Sequence, residues 1–154
     1  GAAIMLVLAL GLLGQWARCF GLRTVVTDGV SASLFAAVLG LILLLAAGTL
    51  HGMGVLAALP VLLAWVVGFL LLLVTGALSQ LLPVWRWPGP QIPARHAMRA
   101  RLAAGGVWRG GGFLIAAGLL LAGANLAAAL VLGGTLAIFV VNLAQAIRVP
   151  RSTR

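Results

Sequence analysis

Long apolar runs that end near arginines constrain this chain more than any other feature. A helix needs roughly 20 apolar residues to cross about 30 Å of hydrocarbon. Apolar runs cover residues 1–16, 30–50, 55–83 and 110–147, and the last is too long for one crossing and suits two. Its break is expected at Gly123-Ala124-Asn125. We therefore predict an all-α membrane bundle, one transmembrane domain over 1–154, with helices at about 1–16, 30–50, 55–83, 106–122 and 125–147.

The composition favours a chain in lipid over a water-soluble globule. Hydrophobic residues make up 64% of the chain and charged residues 7%, whereas soluble domains carry roughly 25% charged residues. Asp28 is the one acidic residue, and the chain has two histidines and one cysteine. A single carboxylate provides no acid/base pair, and so few thiol and imidazole groups cannot form an all-protein zinc site. The composition therefore disfavours an enzyme, and no catalytic residue is assigned.

The positions of the arginines favour five crossings over four. With five helices, all ten arginines fall in the first loop, around the third loop (residues 84–105) or on the C-terminal tail. Those near the third loop are Arg86, Arg95, Arg99, Arg101 and Arg109. Short cytoplasmic loops collect positive charge, whereas with four helices the tail would lie on the opposite side. We therefore predict a cytoplasmic C-terminus, an outside N-terminus and a bacterial inner (plasma) membrane location.

Two further features concern the ends of helices. In the third loop, Pro88, Pro90 and Pro93 disfavour helix in the first half, and the second half is predicted to form a short interfacial helix. Asp28 precedes the second helix, where a carboxylate caps free N–H groups; a proton-accepting role is the alternative. The chain begins Gly-Ala-Ala without a methionine and its first run is short, so we expect residues to precede Gly1.

Polar and interfacial side chains gather near the cytoplasmic ends of the predicted helices. They are Gln15, Thr75, Ser79, Gln80, Trp85, Arg86, Trp87, Asn142 and Gln145. Thr75 and Ser79 share one helix face, and Asn142 and Gln145 share another. If these faces converge, they form a hydrogen-bonding pocket at headgroup depth that suits a quinone or a lipid. The alternative is that the polar groups tie helices together while Trp and Arg anchor the interface.

His51 is the one candidate metal ligand. It ends the second run, and with Met53 it offers a soft ligand pair for copper or an axial ligand for haem. His96 lies in the third loop, about a membrane thickness away, so the two histidines cannot share a metal. The alternative is a histidine at a helix end that meets water or the backbone.

One segment carries a resemblance to known proteins. Residues Gly76–Val84 read Gly-Ala-Leu-Ser-Gln-Leu-Leu-Pro-Val, and a loop rich in Pro, Gly and Arg follows, then an apolar helix. Over roughly residues 48–125 this resembles bacterial multi-helix membrane proteins of the haem-copper-oxidase-subunit-I-like or copper-oxidase-associated type. Gln80 stands near the position where that pattern leads us to expect histidine or tyrosine. The resemblance implies a respiratory or copper-related setting.

The functional hypothesis combines these points. We expect a non-catalytic subunit or module that packs in a larger membrane complex, with lipid or quinone contact at the cytoplasmic leaflet. Its expected partners are membrane lipids, including anionic headgroups, and other membrane subunits or a second copy. Membrane topology explains the net charge of +9, so nucleic acid is not expected. The alternatives are a small-solute transporter or channel, and a haem- or copper-binding redox module.

Overall fold

The apolar runs form helices in the computed structural model, which describes residues 2–21, 29–89 and 93–148. In lipid a helix satisfies its backbone groups internally, which makes it the favoured form for such runs. A π-helical turn, Val66–Leu70, joins the helices Ala58–Trp65 and Leu71–Arg86. The helices are α1 Ala2–Phe20, α2 Gly29–Gly52, α3 Ala58–Trp65, α4 Leu71–Arg86, α5 Pro93–Ala103, α6 Gly106–Leu121 and α7 Asn125–Ile147. The described residues contain no strand, which confirms the predicted all-α helix bundle.

By length and composition, four helical stretches suffice to cross a membrane. These are Ser31–Gly52, Ala58–Arg86, Pro93–Leu121 and Asn125–Ile147. The apolar part of α1, Ile4–Cys19, is shorter than these stretches. The chain therefore has the build of a multi-pass membrane protein, and the crossing by α1 stays a prediction.

Short turns place the arginines at one end of the bundle. The turns between α2 and α3 and between α6 and α7 contain Gly54 and Gly123, each with φ 77°, a value that glycine adopts readily. These turns reverse the chain, so the opposite end holds α5, the first turns of α2 and α6, and the last turns of α1, α4 and α7. We call it the arginine end. The predicted grouping of the described arginines is present, and its cytoplasmic location stays a prediction.

Small residues allow the helices at the centre to approach closely. The buried core is rich in alanine, with Ala36 and Ala37 from α2, and Ala116 and Ala117 from α6 around the fully buried Phe113. A Cβ atom at Gly40 would collide with the carbonyl of Gly68 in the π-helical turn. A Cβ atom at Gly68 would in turn lie 2.8 Å from the Cβ of Ala117. The glycines therefore set the spacing of α2, the π-helical turn and α6.

The segment predicted as a loop at 84–105 is mostly helical. Helix α4 continues past Pro83 to Arg86, although a proline inside a helix removes one backbone donor. The predicted short helix is confirmed as α5. Its residues Ala94, Met98 and Leu102 recur every fourth position and are buried, in one cluster with Trp87 and Ala146. The apolar face of α5 therefore packs against the other helices at the arginine end of the bundle.

Candidate site around a buried arginine

Arg109 is the most unusual side chain at the arginine end. It lies in the first turn of α6 and is only 5% exposed. Its Nη2 donates to Oγ of Ser33 on α2 at 2.8 Å, and its Nη1 donates to the carbonyl of Leu102 in α5 at 3.4 Å. Its Cζ lies 5.0 Å from the ring centroid of Phe139 on α7, within the range of a cation–π contact. One guanidinium thus joins four helices.

The junction between α5 and α6 receives donors from three other positions. The last carbonyls of a helix lack partners within it. The Leu102 carbonyl accepts from Arg109 and also from Oγ of Ser79 on α4, at 3.5 Å. Nδ2 of Asn142 on α7 donates to the carbonyl of Ala104 at 3.4 Å. The positive charge of Arg109 also suits the negative end of the α5 dipole, so these side chains cap α5 from outside it.

A cavity lies beside the guanidinium. Its volume is about 40 Å³. The lining residues are Gly105, Trp108, Arg109, Thr135, Ile138, Phe139 and Asn142. The Thr135 hydroxyl donates to the carbonyl of Val131 at 2.7 Å, so its donor is used within α7. The cavity therefore combines an apolar wall with the polar atoms of Arg109 and Asn142.

Some N–H donors at this site have no assigned acceptor among the described residues. Nε of Arg109 is buried and has no partner among the described residues. Asn142 has two amide donors, of which one is assigned to Ala104. The described residues include no carboxylate, because Asp28 lies outside them. A buried cation is costly unless it is paired, so the arrangement favours a hydrogen-bond acceptor, and most strongly an anion.

Two of the predicted pocket residues are buried in helix contacts. The Thr75 hydroxyl donates to the carbonyl of Leu71 at 2.7 Å, within its own helix. The Ser79 hydroxyl donates to the carbonyl of Thr75 at 2.8 Å, and the same proton makes a longer, bifurcated contact with the carbonyl of Leu102 at 3.5 Å. Both side chains are therefore engaged with backbone carbonyls, and neither lines the cavity beside Arg109.

The other predicted pocket residues fall in separate places. Asn142 lines the cavity, while Gln145, nearby on α7, is exposed and accepts through its carbonyl from Nη1 of Arg101 at 3.2 Å. Trp87 is buried against α5, and the Cζ of the exposed Arg86 lies 5.4 Å from its ring centroid. Of the remaining predicted pocket residues, Gln80 is half-buried, and Gln15 and Trp85 are exposed. The structure thus brings Asn142 to the cavity and leaves most of the set apart from it.

His51 lies near the opposite end of the bundle. It is exposed, and its Nδ1 lies 2.7 Å from the carbonyl of Leu56. Met53 is 64% exposed. The described residues hold no group of three or more His, Cys, Asp or Glu side chains placed for a metal ion. The predicted capping role of Asp28 falls outside the described residues.

The sequence pattern grouped Arg109 with the arginines near the third loop and did not single out Ser33, Thr135 or Phe139. The Arg109–Ser33 pair joins residues 76 positions apart, so no local pattern reports it. The available signal was an arginine inside the helix that the sequence predicts from residue 106, since an arginine within an apolar helix usually faces the bundle interior.

Comparison with other proteins gives no assignment: no family model matches the chain, and no curated protein or solved structure matches it. The resemblance to copper-oxidase-associated membrane proteins therefore stays a prediction.

Proposed function

We propose that this chain is a non-catalytic membrane module that packs against further helices in a larger assembly and contacts a lipid or a quinone at the arginine end. The exposed face of α7 carries the first part of the proposal. The cavity beside Arg109, with Asn142 on its wall, supports the second part. A composition with one carboxylate supports the non-catalytic role.

Helix α7 presents most of its surface outward. In the most apolar 18-residue stretch of its candidate membrane span, only 11% is buried. The side opposite the buried Ala128, Phe139 and Ala146 mixes large and small residues: Leu126, Leu130, Gly133, Ala137, Val141 and Ala144. Helix contacts in membranes are enriched in small residues that let backbones approach.

Two positions on that face are especially open. A Cβ atom at Gly133 would meet no other atom within 4 Å, and Ala137 one turn later is exposed. Gly133 and Ala137 have the four-residue spacing of small-residue helix contacts. Another helix can therefore approach this face more closely than it could approach a surface made of large side chains alone.

Enlarging this face tests the proposal. We expect the double substitution Gly133→Leu with Ala137→Leu to release partner chains from the tagged protein, because the added side chains hold a partner helix away. The control is Gly111→Leu on α6, which is exposed with nothing within 4 Å of its Cβ position. The measurement is the yield of co-purifying chains from membranes in mild detergent. Unchanged yields in the double variant would contradict the proposed face.

A further inference from the structure

We propose that the cavity beside Arg109 binds the phosphate group of a phospholipid. This inference rests on the lipid contact in the proposed function and narrows it to one headgroup chemistry. It does not depend on the association of α7 with other helices.

The donors around the cavity call for an anion. Only 5% of the Arg109 surface is exposed, and its Nε lacks a partner among the described residues. Asn142 supplies a further amide donor on the cavity wall. Guanidinium and amide donors together match the oxygens of a phosphate, and guanidinium–phosphate hydrogen bonds are among the strong ones.

The adjoining helix end adds to this preference. The first N–H groups of a helix have no partner within it, and the N-terminus carries a partial positive charge. Helix α6 begins at Gly106. Gly105, which precedes the helix, and Trp108, in its first turn, line the cavity. The N-terminal end of α6, the buried guanidinium and the amide each favour negative charge here, while the caps on the Leu102 and Ala104 carbonyls offset the negative end of α5.

The size of the cavity favours a phosphate over a quinone as its occupant. Pockets that hold drug-sized ring molecules measure roughly 300–1,000 Å³. The cavity beside Arg109 measures about 40 Å³. It therefore suits a small anionic group better than a drug-sized ring molecule.

The surroundings point to a lipid as the source of that group. Trp108 is 83% exposed and Ile138 is 61% exposed, and both line the cavity. They provide an apolar surface on which the chains of a lipid can lie while its phosphate reaches Arg109. Tryptophan is also common at headgroup level in membrane proteins.

The test measures lipid binding to the full chain in detergent by native mass spectrometry. The probes are phosphatidylglycerol, phosphatidylcholine and inorganic phosphate. We expect phosphatidylglycerol to bind most tightly, and Arg109→Gln to weaken it about tenfold or more, as for loss of one charge-assisted hydrogen bond. The matched control is Arg101→Gln, because Arg101 is an exposed arginine of the same end that does not line the cavity.

Two further variants keep the test decisive if Arg109→Gln does not fold. Asn142→Ala removes the second donor and is expected to weaken phosphatidylglycerol binding several-fold, in the range of a neutral hydrogen bond. Arg109→Lys keeps the charge but removes the planar guanidinium and its fork of donors, so it should bind phosphatidylglycerol more weakly than the wild type and more tightly than Arg109→Gln.

Three results would overturn the inference. The first is wild-type affinity for phosphatidylglycerol in both Arg109→Lys and Asn142→Ala. The second is displacement of the lipid by an equal concentration of inorganic phosphate, which would assign the site to free anions. The third is no binding of phosphatidylglycerol by the wild type. Loss of lipid binding with partner chains still retained would leave the association proposal standing.

Discussion

At the scale of the residue, Arg109 shows how a cation is held inside an apolar bundle. Ser33, the Leu102 carbonyl and the Phe139 ring surround the guanidinium. Each contact offsets part of the hydration that the charge loses on burial. Because these groups come from different helices, Arg109 also holds the helices in register.

Ser33→Ala tests this role. Removing the hydroxyl takes away the closest hydrogen bond of Arg109 and should lower the free energy of unfolding by about 1–3 kcal/mol. The measurement is denaturant unfolding in bicelles, followed by tryptophan fluorescence. Thr49→Ala is the control, because Thr49 is exposed and its hydroxyl bonds Leu45 in its own helix. Equal effects of the two substitutions would argue against a structural role for the Arg109–Ser33 bond.

Gly40 sets the closest approach between helices. Gly40→Ala must push α2 away from the carbonyl of Gly68 and should cost about 1–3 kcal/mol, typical of overpacking. Gly48→Ala on the same helix meets nothing within 4 Å and should be neutral or stabilise by about 0.5–1 kcal/mol, since alanine favours helix over glycine. The same unfolding assay compares them. A Gly40→Ala variant as stable as Gly48→Ala would contradict the packing described here.

At the scale of the element, α5 converts a polar segment into part of the core. Its apolar positions Ala94, Met98 and Leu102 face the bundle, and Arg99 and Arg101 are exposed. The caps on the Leu102 and Ala104 carbonyls fix its C-terminal end. A short helix of this kind depends on tertiary contacts for its stability.

Met98→Ala should therefore loosen α5. Met98 is fully buried, so its truncation should cost about 2–5 kcal/mol and raise amide hydrogen exchange along α5. Met53→Ala is the control, because Met53 is 64% exposed. If hydrogen exchange in α5 is already fast in the wild type, or does not respond to Met98→Ala, α5 is not anchored in this way.

The helices were predictable because their signal is local. The length of the apolar runs was enough to predict the helix bundle. The positions of the prolines in the third loop were enough to predict α5. The π-helical turn and the Gly40–Gly68 contact were not predictable, because none of the 21 glycines is marked in sequence as the one that faces another backbone. Trp87 and Arg109 were expected at the membrane boundary, where their residue types are common, and tertiary packing buries both instead.

At the scale of the whole molecule, one end of the bundle gathers positive charge and the other has short turns. In the described residues, arginines lie on α5 and on the neighbouring helix ends, while His51 lies near the turn at Gly54. Such an asymmetry predicts that the arginine end faces the cytoplasm. The same end holds the cavity, so lipid contact is expected in the cytoplasmic leaflet.

Cysteine labelling in intact cells checks this orientation. In a Cys19→Ser background, we expect Met53→Cys to react with a membrane-impermeant maleimide and Arg148→Cys to react only after the membrane is permeabilised. Both positions are exposed, so access to the reagent depends on the side of the membrane. The opposite pattern would reverse the predicted topology.

The mass of the wild-type assembly, extracted from native membranes in polymer nanodiscs, shows whether this chain associates with other chains. The open face of α7 predicts a particle that contains further protein chains in a fixed ratio to this one. A particle that holds a single copy of this chain and lipid alone would contradict the proposal that this chain packs against further helices.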